Sequence, residues 1–304
     1  MLLTSGAKAA HLRPETLPMT YFFSLFHRLL RLRPALLAGS AFTLASLLSG
    51  CGLIEFNPNE TRTPEAYSNL TRKNLERLQQ QPNPLGGDSL RFVFVGDSQR
   101  FYDEADAFVK SVNQQPGVAF VAIAGDISDF GLIREMRWVH DRLKKLDVPY
   151  LTVIGNHDQV GNGRESYQKV YGPLNYSFEY GGTRFVLVDT NGREYGFNGR
   201  VPDVPWVQRA LSEPGPGIRR QVVMSHVPPM DADFDPQLER PYVQALNDAP
   251  RVAFELNGHR HDFSIGEPYE NGLTFINSYS FEKREYVVLT VWGEKEFSLK
   301  TVQY

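Results

Sequence analysis

Five apolar stretches of this sequence are each followed closely by side chains that could bind a metal ion. Within three positions of the last apolar residue comes an aspartate, asparagine or histidine, in the segments Val95-Gly-Asp97-Ser-Gln99, Ala124-Gly-Asp126-Ile-Ser-Asp129, Ile154-Gly-Asn156-His157-Asp158, Met224-Ser-His226 and Leu256-Asn-Gly-His259-Arg-His261. Carboxylates, amide oxygens and imidazoles without sulfur suit Mn, Fe, Zn or Ni. A shared carboxylate can hold two such ions roughly 3.5–4 Å apart, where they lower the pKa of a bridging water. The residue types therefore indicate divalent-metal chemistry.

The elements that must position these side chains are strands alternating with helices. Residues 90–95, 118–124 and 150–154 are apolar runs typical of strands, and residues 104–113 and 132–146 have helical patterns. Strands that are apolar throughout predict a sheet covered on both faces. Because ligands bind beyond the carboxyl ends of strands in open α/β sheets, loops there can bring distant side chains together.

The second half of the chain adds more strands. Gly181-Gly182 lies between runs 176–180 and 184–189 and predicts a hairpin. The remaining predicted elements are a helix at 205–211, strands at 221–225, 252–256, 273–276, 286–292 and 297–302, and a turn at Gly293-Glu294. We therefore expect an α/β (α+β) fold in which two mixed β-sheets lie face to face with helices outside.

The five segments, in this order, resemble the calcineurin-like metallophosphoesterase family, and the resemblance covers residues 90 to about 262. Gly-Asn-His-Asp and Gly-His-x-His, each after a strand, are its most specific parts. The resemblance implies a four-layer αββα sandwich that hydrolyses a phosphate ester, either a mono- or a diester and possibly of nucleotide type. It further implies attack by a hydroxide bound to two divalent metal ions, foremost Mn, with Fe, Zn, Ni or Mg as alternatives.

The same resemblance implies a role for each ligand-type residue. Asp97 and His261 would hold the first metal together with Gln99, Asp126 would bridge both metals, and Asn156, His226 and His259 would hold the second. His157 would face the phosphate, stabilising developing charge or protonating the leaving oxygen. Asp158 would orient His157.

Gln99 departs from the family pattern, which usually has histidine at this position. A neutral amide oxygen is a harder and weaker ligand than imidazole. This predicts that the first metal ion binds more weakly and that the site prefers Mn or Mg. The same substitution leaves a second hypothesis open, in which the chain is a catalytically inactive surface lipoprotein that binds a ligand or partner on this fold.

Three further residues are weaker candidates for contact with substrate. Arg260 lies between two ligand histidines, where it could point at substrate or at a surface acid. Arg100 follows the first segment and could line the pocket, and Asn191 opens a polar loop that could recognise a leaving group or be an ordinary surface loop. We expect Asp129 to be structural and the acidic stretch 228–235 to form a solvated loop.

Composition limits the partners of the chain. It has 304 residues, 32 Lys+Arg, 35 Asp+Glu and a net charge of −3, with 41% hydrophobic residues. These values are ordinary for a globular protein and do not favour binding to a nucleic-acid polymer. We expect a monomer acting on a small phosphorylated substrate.

The N-terminal region has the pattern of an export signal. Basic residues, then the uncharged stretch 35–48, then small residues match a secretory signal over residues 1–50, although Met19 could be the true start. Leu48-Ser49-Gly50-Cys51 resembles the lipobox of bacterial lipoproteins and contains the one cysteine of the chain. The resemblance implies a lipid on Cys51 that anchors an exported protein, with the outer membrane favoured. Residues 51–88 would be a tether containing a helix near 64–81, and residues 89–304 the phosphoesterase domain.

Overall fold

Eleven strands and six α-helices lie in residues 60–212 and 214–304, the part of the chain that the computed structural model describes. The helices are α1 (Leu70–Gln79), α2 (Tyr102–Val112), α3 (Ile133–Leu143), α4 (Gly163–Val170), α5 (Val204–Ala210) and α6 (Glu239–Asp248). The strands are β1 (Leu90–Val95), β2 (Val121–Ile123), β3 (Tyr150–Thr152), β4 (Tyr176–Tyr180), β5 (Thr183–Val188), β6 (Arg220–Ser225), β7 (Val252–Asn257), β8 (Ser264–Gly266), β9 (Thr274–Asn277), β10 (Glu285–Trp292) and β11 (Glu296–Gln303). Short 3₁₀ turns occupy Glu65–Tyr67, His157–Gln159, Gly192–Tyr195 and Phe281–Lys283.

The strands form two mixed sheets. One has the order β11-β10-β1-β2-β3, with β1, β2 and β3 parallel and β10 antiparallel to β1. The other has the order β4-β5-β6-β7-β9-β8, with β5, β6, β7 and β9 parallel. Gly181 and Gly182 both have positive φ and join β4 to antiparallel β5, which confirms the predicted hairpin.

The inner faces of the two sheets pack against each other. Phe92 and Phe94 of β1 share one buried cluster with Phe185 of β5 and Phe254 of β7. The alternate residues of β1, Val93 and Val95, point the other way and pack against helices α2, α3 and α4. A third cluster joins the outer face of β5 and β6 to α5 and α6. These layers confirm the predicted αββα sandwich.

Helix α3 shows how the sequence produces the outer layers. Ile133, Met136, Val139 and Leu143 recur at helical spacing and are all buried. The Glu135 carboxylate accepts a hydrogen bond from the backbone N–H of Leu132, the N-cap residue, and another from Phe130 in the preceding loop.

Helix α1 lies within the helix predicted near 64–81 and packs onto the sandwich, because Leu70 and Leu78 are 3% and 0% exposed and belong to its buried clusters. The boundary expected at residue 89 stays a prediction. The predicted signal segment 1–50, Met19 and Cys51 lie outside the described residues. Among the helices that are described, none has both the length and the apolar character needed to cross a membrane.

Candidate metal centre

The loops that follow five strands meet at one edge of the sandwich. Asp97 and Asp126 follow the parallel strands β1 and β2 of one sheet, and Asn156 follows β3; His226 and His259 follow β6 and β7 of the other. Backbone hydrogen bonds join the loops, from the Asp97 N–H to the Gly125 carbonyl and from the Gly258 N–H to the His226 carbonyl. The predicted convergence beyond the strand ends therefore occurs.

Three residues predicted to hold the second metal lie in contact. Asn156 Oδ1 is 2.9 Å from His226 Nε2 and 3.1 Å from His259 Nδ1. His226 Nδ1 lies 2.6 Å from the carbonyl oxygen of Ala124, so this nitrogen carries a proton and donates it there. In the neutral ring, Nε2 then presents a lone pair toward Asn156 Oδ1 and toward Asp126 Oδ2, which is 3.3 Å away. Acceptors that face one another in this way fit a cation between them.

Of the residues predicted for the first metal, Asp97, Gln99 and Asp126 are buried, and the side chain of His261 is 34% exposed. Ligand atoms of Asp97, Asp126 and His226 all lie within 4.8 Å of one another. Both carboxylate oxygens of Asp97 and Oε1 of Gln99 are buried without a hydrogen-bond partner. Because buried polar atoms are normally paired, these orphaned oxygens fit a bound cation. His261 Nε2 lies 3.4 Å from Asp97 Oδ1.

The charges of the centre favour a positive group. Burial tends to lower the pKa of His226, but the Asp126 carboxylate outweighs it and raises that pKa to about 10. The pKa of Asp126 is lowered in turn, since His226 and His157 outweigh the effect of burial. The pKa of His261 is raised by the neighbouring Asp97. The carboxylates thus attract protons onto the histidines, as they would attract a metal ion.

Close backbone approach and unusual backbone conformations build the site. Asp97, Asp126, His259 and His261 all have positive φ, between 51° and 72°, a region that L-residues rarely occupy and that often marks functional sites. A Cβ at position 125 would lie 2.7 Å from His226 Nδ1, and one at position 155 would press on the Asp126 carboxylate. Only glycine fits at these two positions without displacing a predicted ligand.

His157 is oriented by Asp129 rather than by Asp158. Its Nδ1 lies 2.9 Å from the Asp129 carbonyl oxygen and 3.6 Å from that residue's carboxylate, which also pairs with Arg100. The side chain of His157 is 37% exposed, and its backbone N–H donates to Asp126 Oδ1. Asp129, expected to be structural, therefore also contacts His157. Arg100 pairs with this acid but keeps a 57% exposed side chain, so its contact with substrate stays a prediction.

Asp158 is a structural acid that joins two ligand loops. It is fully buried and accepts hydrogen bonds from the backbone N–H groups of Ile127, Ser128 and Gly155 and from the Ser128 hydroxyl, at 2.7–3.2 Å. Burial and the nearby Asp126 raise its pKa to about 6. The predicted orienting contact of Asp158 with His157 is thus replaced by a role in holding together the loops after β2 and β3.

The two other predicted substrate residues also have protein partners. Asn191 is fully buried and donates to Asp189 and to the Ile154 carbonyl, so it supports the loop rather than lining an open site. Arg260 pairs with Asp231 at 3.0 Å while its side chain remains 42% exposed. Arg260 also lines a cavity of about 320 Å³, which includes none of the predicted metal ligands, and its contact with substrate stays a prediction.

Sequence reasoning missed two acids of the centre. Asp231 and Asp233 each place a carboxylate oxygen 3.5 Å from His259 Nε2, and their side chains are 19% and 17% exposed. The expectation of a solvated loop at 228–235 was therefore wrong. The available signal was the position of these acids directly after the His226 segment.

Comparison with known proteins agrees with this arrangement. The calcineurin-like phosphoesterase family profile matches residues 90–263. No match to a curated protein was found by sequence. A dimetal phosphatase from Danio rerio is 15% identical, with a TM-score of 0.54, covering 72% of this chain and 100% of its own. The PhoD structure is 11% identical, with a TM-score of 0.55, covering 73% and 70%.

A third similar structure is GAP50, the anchor in the inner membrane complex of Plasmodium, which is 15% identical with a TM-score of 0.51 and covers 71% of this chain and 85% of its own. At these identities the solved structures establish the shared fold. The family profile, together with the Asp/His clusters, supports a metal-dependent phosphoesterase. The profile spans more than half of the chain, which therefore belongs to the calcineurin-like phosphoesterase family.

Proposed function

We propose that this protein hydrolyses a phosphate ester, mono- or diester, at a centre that binds two divalent metal ions. The observation that carries the proposal is the set of buried acceptors facing one another around Asn156 Oδ1, with orphaned carboxylate oxygens on Asp97 nearby. Asp97, Gln99 and His261 would hold one ion, Asn156, His226 and His259 the other, and Asp126 both. Bound there, the two ions would supply an activated water and neutralise phosphoryl charge.

The protein's own contribution to the reaction is positioning and proton transfer. The Asp129 carbonyl holds a proton on His157 Nδ1, which leaves Nε2 as the nitrogen for the substrate. Protonated, His157 can stabilise charge on the phosphate or donate a proton to the leaving oxygen. Asp129 and Asp158 keep His157 and the ligand loops in place.

The test combines metal analysis with hydrolysis of p-nitrophenyl phosphate and bis(p-nitrophenyl) phosphate in the presence of Mn²⁺. We expect two metals per chain, and loss of metal and activity in Asn156→Ala. His157→Ala should keep its metal but lose about 10²-fold or more in kcat. Asn247→Ala, at an exposed position on α6, is the matched control. Full activity in Asn156→Ala or His157→Ala would refute the mechanism.

Gln99 supports the second candidate, a catalytically inactive protein that binds a partner on the same fold. The name of GAP50, an anchor, illustrates that a protein of this fold can be described by its place in an assembly. Purified chain that contains no metal, even after reconstitution with Mn²⁺ or Fe²⁺, would favour this candidate over the enzyme.

We also propose that the protein is exported and anchored through a lipid on Cys51, in the outer membrane. The lipobox-like sequence directly after an apolar stretch supports this proposal. Palmitate should label the wild-type chain and not Cys51→Ser, and labelling that persists in the variant would refute the anchor.

A further inference from the structure

The acidic loop after His226 contacts the metal centre through His259. Asp231 Oδ1 and Asp233 Oδ2 are each 3.5 Å from His259 Nε2, on the opposite side of the ring from Asn156. The ring is 17% exposed at its side chain, so this contact is largely shielded from water. The five ligand segments of the sequence do not include either acid.

His226 shows what such a contact does. The Ala124 carbonyl accepts a hydrogen bond from Nδ1 of His226, which fixes the proton there and turns the lone pair of Nε2 toward Asn156 and Asp126. His259 has the corresponding arrangement with its nitrogens exchanged, since Nδ1 faces Asn156 and Nε2 lies at ion-pair distance, 3.5 Å, from the two carboxylates. A ligand histidine whose other nitrogen donates to a carboxylate has a fixed tautomer and a more basic ligand nitrogen.

We propose that Asp231 and Asp233 are positioning residues that hold the proton of His259 on Nε2 and present its Nδ1 to the second metal ion. The inference rests on the proposed function, since it assumes a metal at Asn156, His226 and His259. The two acids touch neither substrate nor metal in this role. They act through the orientation and basicity of the ring.

Two arginines explain why the acids themselves need not be ligands. Arg260 Nε lies 3.0 Å from Asp231 Oδ2, and Arg193 lies 2.8 Å from Asp233 Oδ1. The backbone N–H of Asp233 also donates to Asp231 Oδ1 at 3.1 Å. Each carboxylate is thus partly neutralised and held by a cation, with its other oxygen turned to His259. Positive φ at His259, 72°, is a conformation that needs such external support.

The test measures divalent-ion binding by the metal-free full chain in competition with a chromophoric chelator. In Asp231→Asn/Asp233→Asn we expect two Mn²⁺ or Zn²⁺ ions still to bind, one of them about 10–100-fold more weakly. Asp147→Asn/Asp248→Asn is the matched control, because these exposed acids precede β3 and β7 at the opposite ends of the strands. If the double variant fails to fold, the ion affinities of the single variants Asp231→Asn and Asp233→Asn are compared with the wild type instead.

A second readout follows the tautomer directly. In ¹H–¹⁵N spectra of the metal-free wild type, His259 should carry its proton on Nε2, and the double variant should show a larger Nδ1–H population. A purely structural role would change neither this signal nor the affinity of one site alone.

Three results would overturn the proposal. The first is a double variant that binds two ions with the same affinities as the wild type. This result would refute the inference and leave the proposed function intact. Another is a third bound ion that only the variant loses, because Asp231, Asp233 and His259 would then themselves be a cation site. A wild-type chain that binds no ion would refute the proposed function and this inference together.

Discussion

Glu255 lies in the middle of β7, where each of the six residues is buried, and its side chain is 0% exposed. One carboxylate oxygen, Oε1, accepts hydrogen bonds from the Ser225 hydroxyl, the Tyr242 hydroxyl and the Asn257 amide at 2.7–3.2 Å. The other, Oε2, has no partner. Burial raises the pKa of Glu255 to about 7, and the three hydrogen bonds only partly oppose that rise.

This shift predicts that the native fold becomes less stable as the pH rises. An acid whose folded-state pKa is above its unfolded value, here about 7 against 4.5, keeps its proton longer in the folded chain. The free energy of unfolding therefore falls between about pH 4.5 and pH 7 and is lowest above that window. At about 1.36 kcal/mol per pKa unit the full loss is about 3 kcal/mol, of which about 2.5 kcal/mol falls between pH 5 and pH 8.

Glu255→Gln removes the titration while retaining the shape and the acceptor at Oε1. The difference in free energy of unfolding, variant minus wild type, should grow by about 2–3 kcal/mol from pH 5 to pH 8, measured by urea denaturation. Taking this difference cancels the titration of other groups, and Glu294→Gln, at an exposed turn position, should show no such change. Parallel pH profiles for Glu255→Gln and the wild type would refute the reasoning, since Glu255 would then ionise at no cost.

Three further perturbations test the metal centre. Asp158→Ala leaves three backbone N–H groups and a hydroxyl without their acceptor, so we expect a loss of about 3 kcal/mol, or about 6–12 °C in Tm, by calorimetry; an unchanged Tm would contradict this role. Gly155→Ala should push Asp126 aside and lower the metal content in elemental analysis, whereas Gly215→Ala, with open space around it, should not; equal metal content in both would refute the close approach. Removing metal with EDTA should lower Tm reversibly, because an ion held at 100 times its Kd stabilises the folded chain by about 2.7 kcal/mol. A Tm unmoved by EDTA and by added Mn²⁺ would argue against a tightly bound ion.

Sequence could predict the features that depend on repeated local patterns. Asp126, Asn156 and His226 follow strands that are apolar throughout, and parallel strands deliver their carboxyl ends to one edge. The two-sheet architecture followed from the same runs. Helix α6 was missed because Pro241 interrupts its pattern, although proline is tolerated in the first turn of a helix. Strand β8, three exposed residues long, has no apolar pattern to detect.

Contacts that depend on the direction in which a side chain points could not be predicted from these patterns. Asp158 is the neighbour of His157 in sequence, yet both start a 3₁₀ turn in which Asp158 points inward to the loop after β2. The partner of His157 is Asp129, from a different loop. Spacing likewise says nothing about Asp231 and Asp233, because their approach to His259 depends on how the loop after β6 folds back across the end of β7.

The strain in the ligand loops links the fold to the function. Asp97, Asp126 and His259 occupy a backbone region that costs of order 1–3 kcal/mol each. The carboxylates of Asp97 and Asp126 also lie close to each other and to His226. Both effects oppose folding, so the surrounding packing must overcome them: two buried sheets, and the loops joined by backbone hydrogen bonds and by Asp158. Without a metal, protons on His226 and His261 offset part of this negative charge, and a divalent ion would take their place. The same cation then stabilises the fold, which is why stability and metal binding in this protein should rise and fall together.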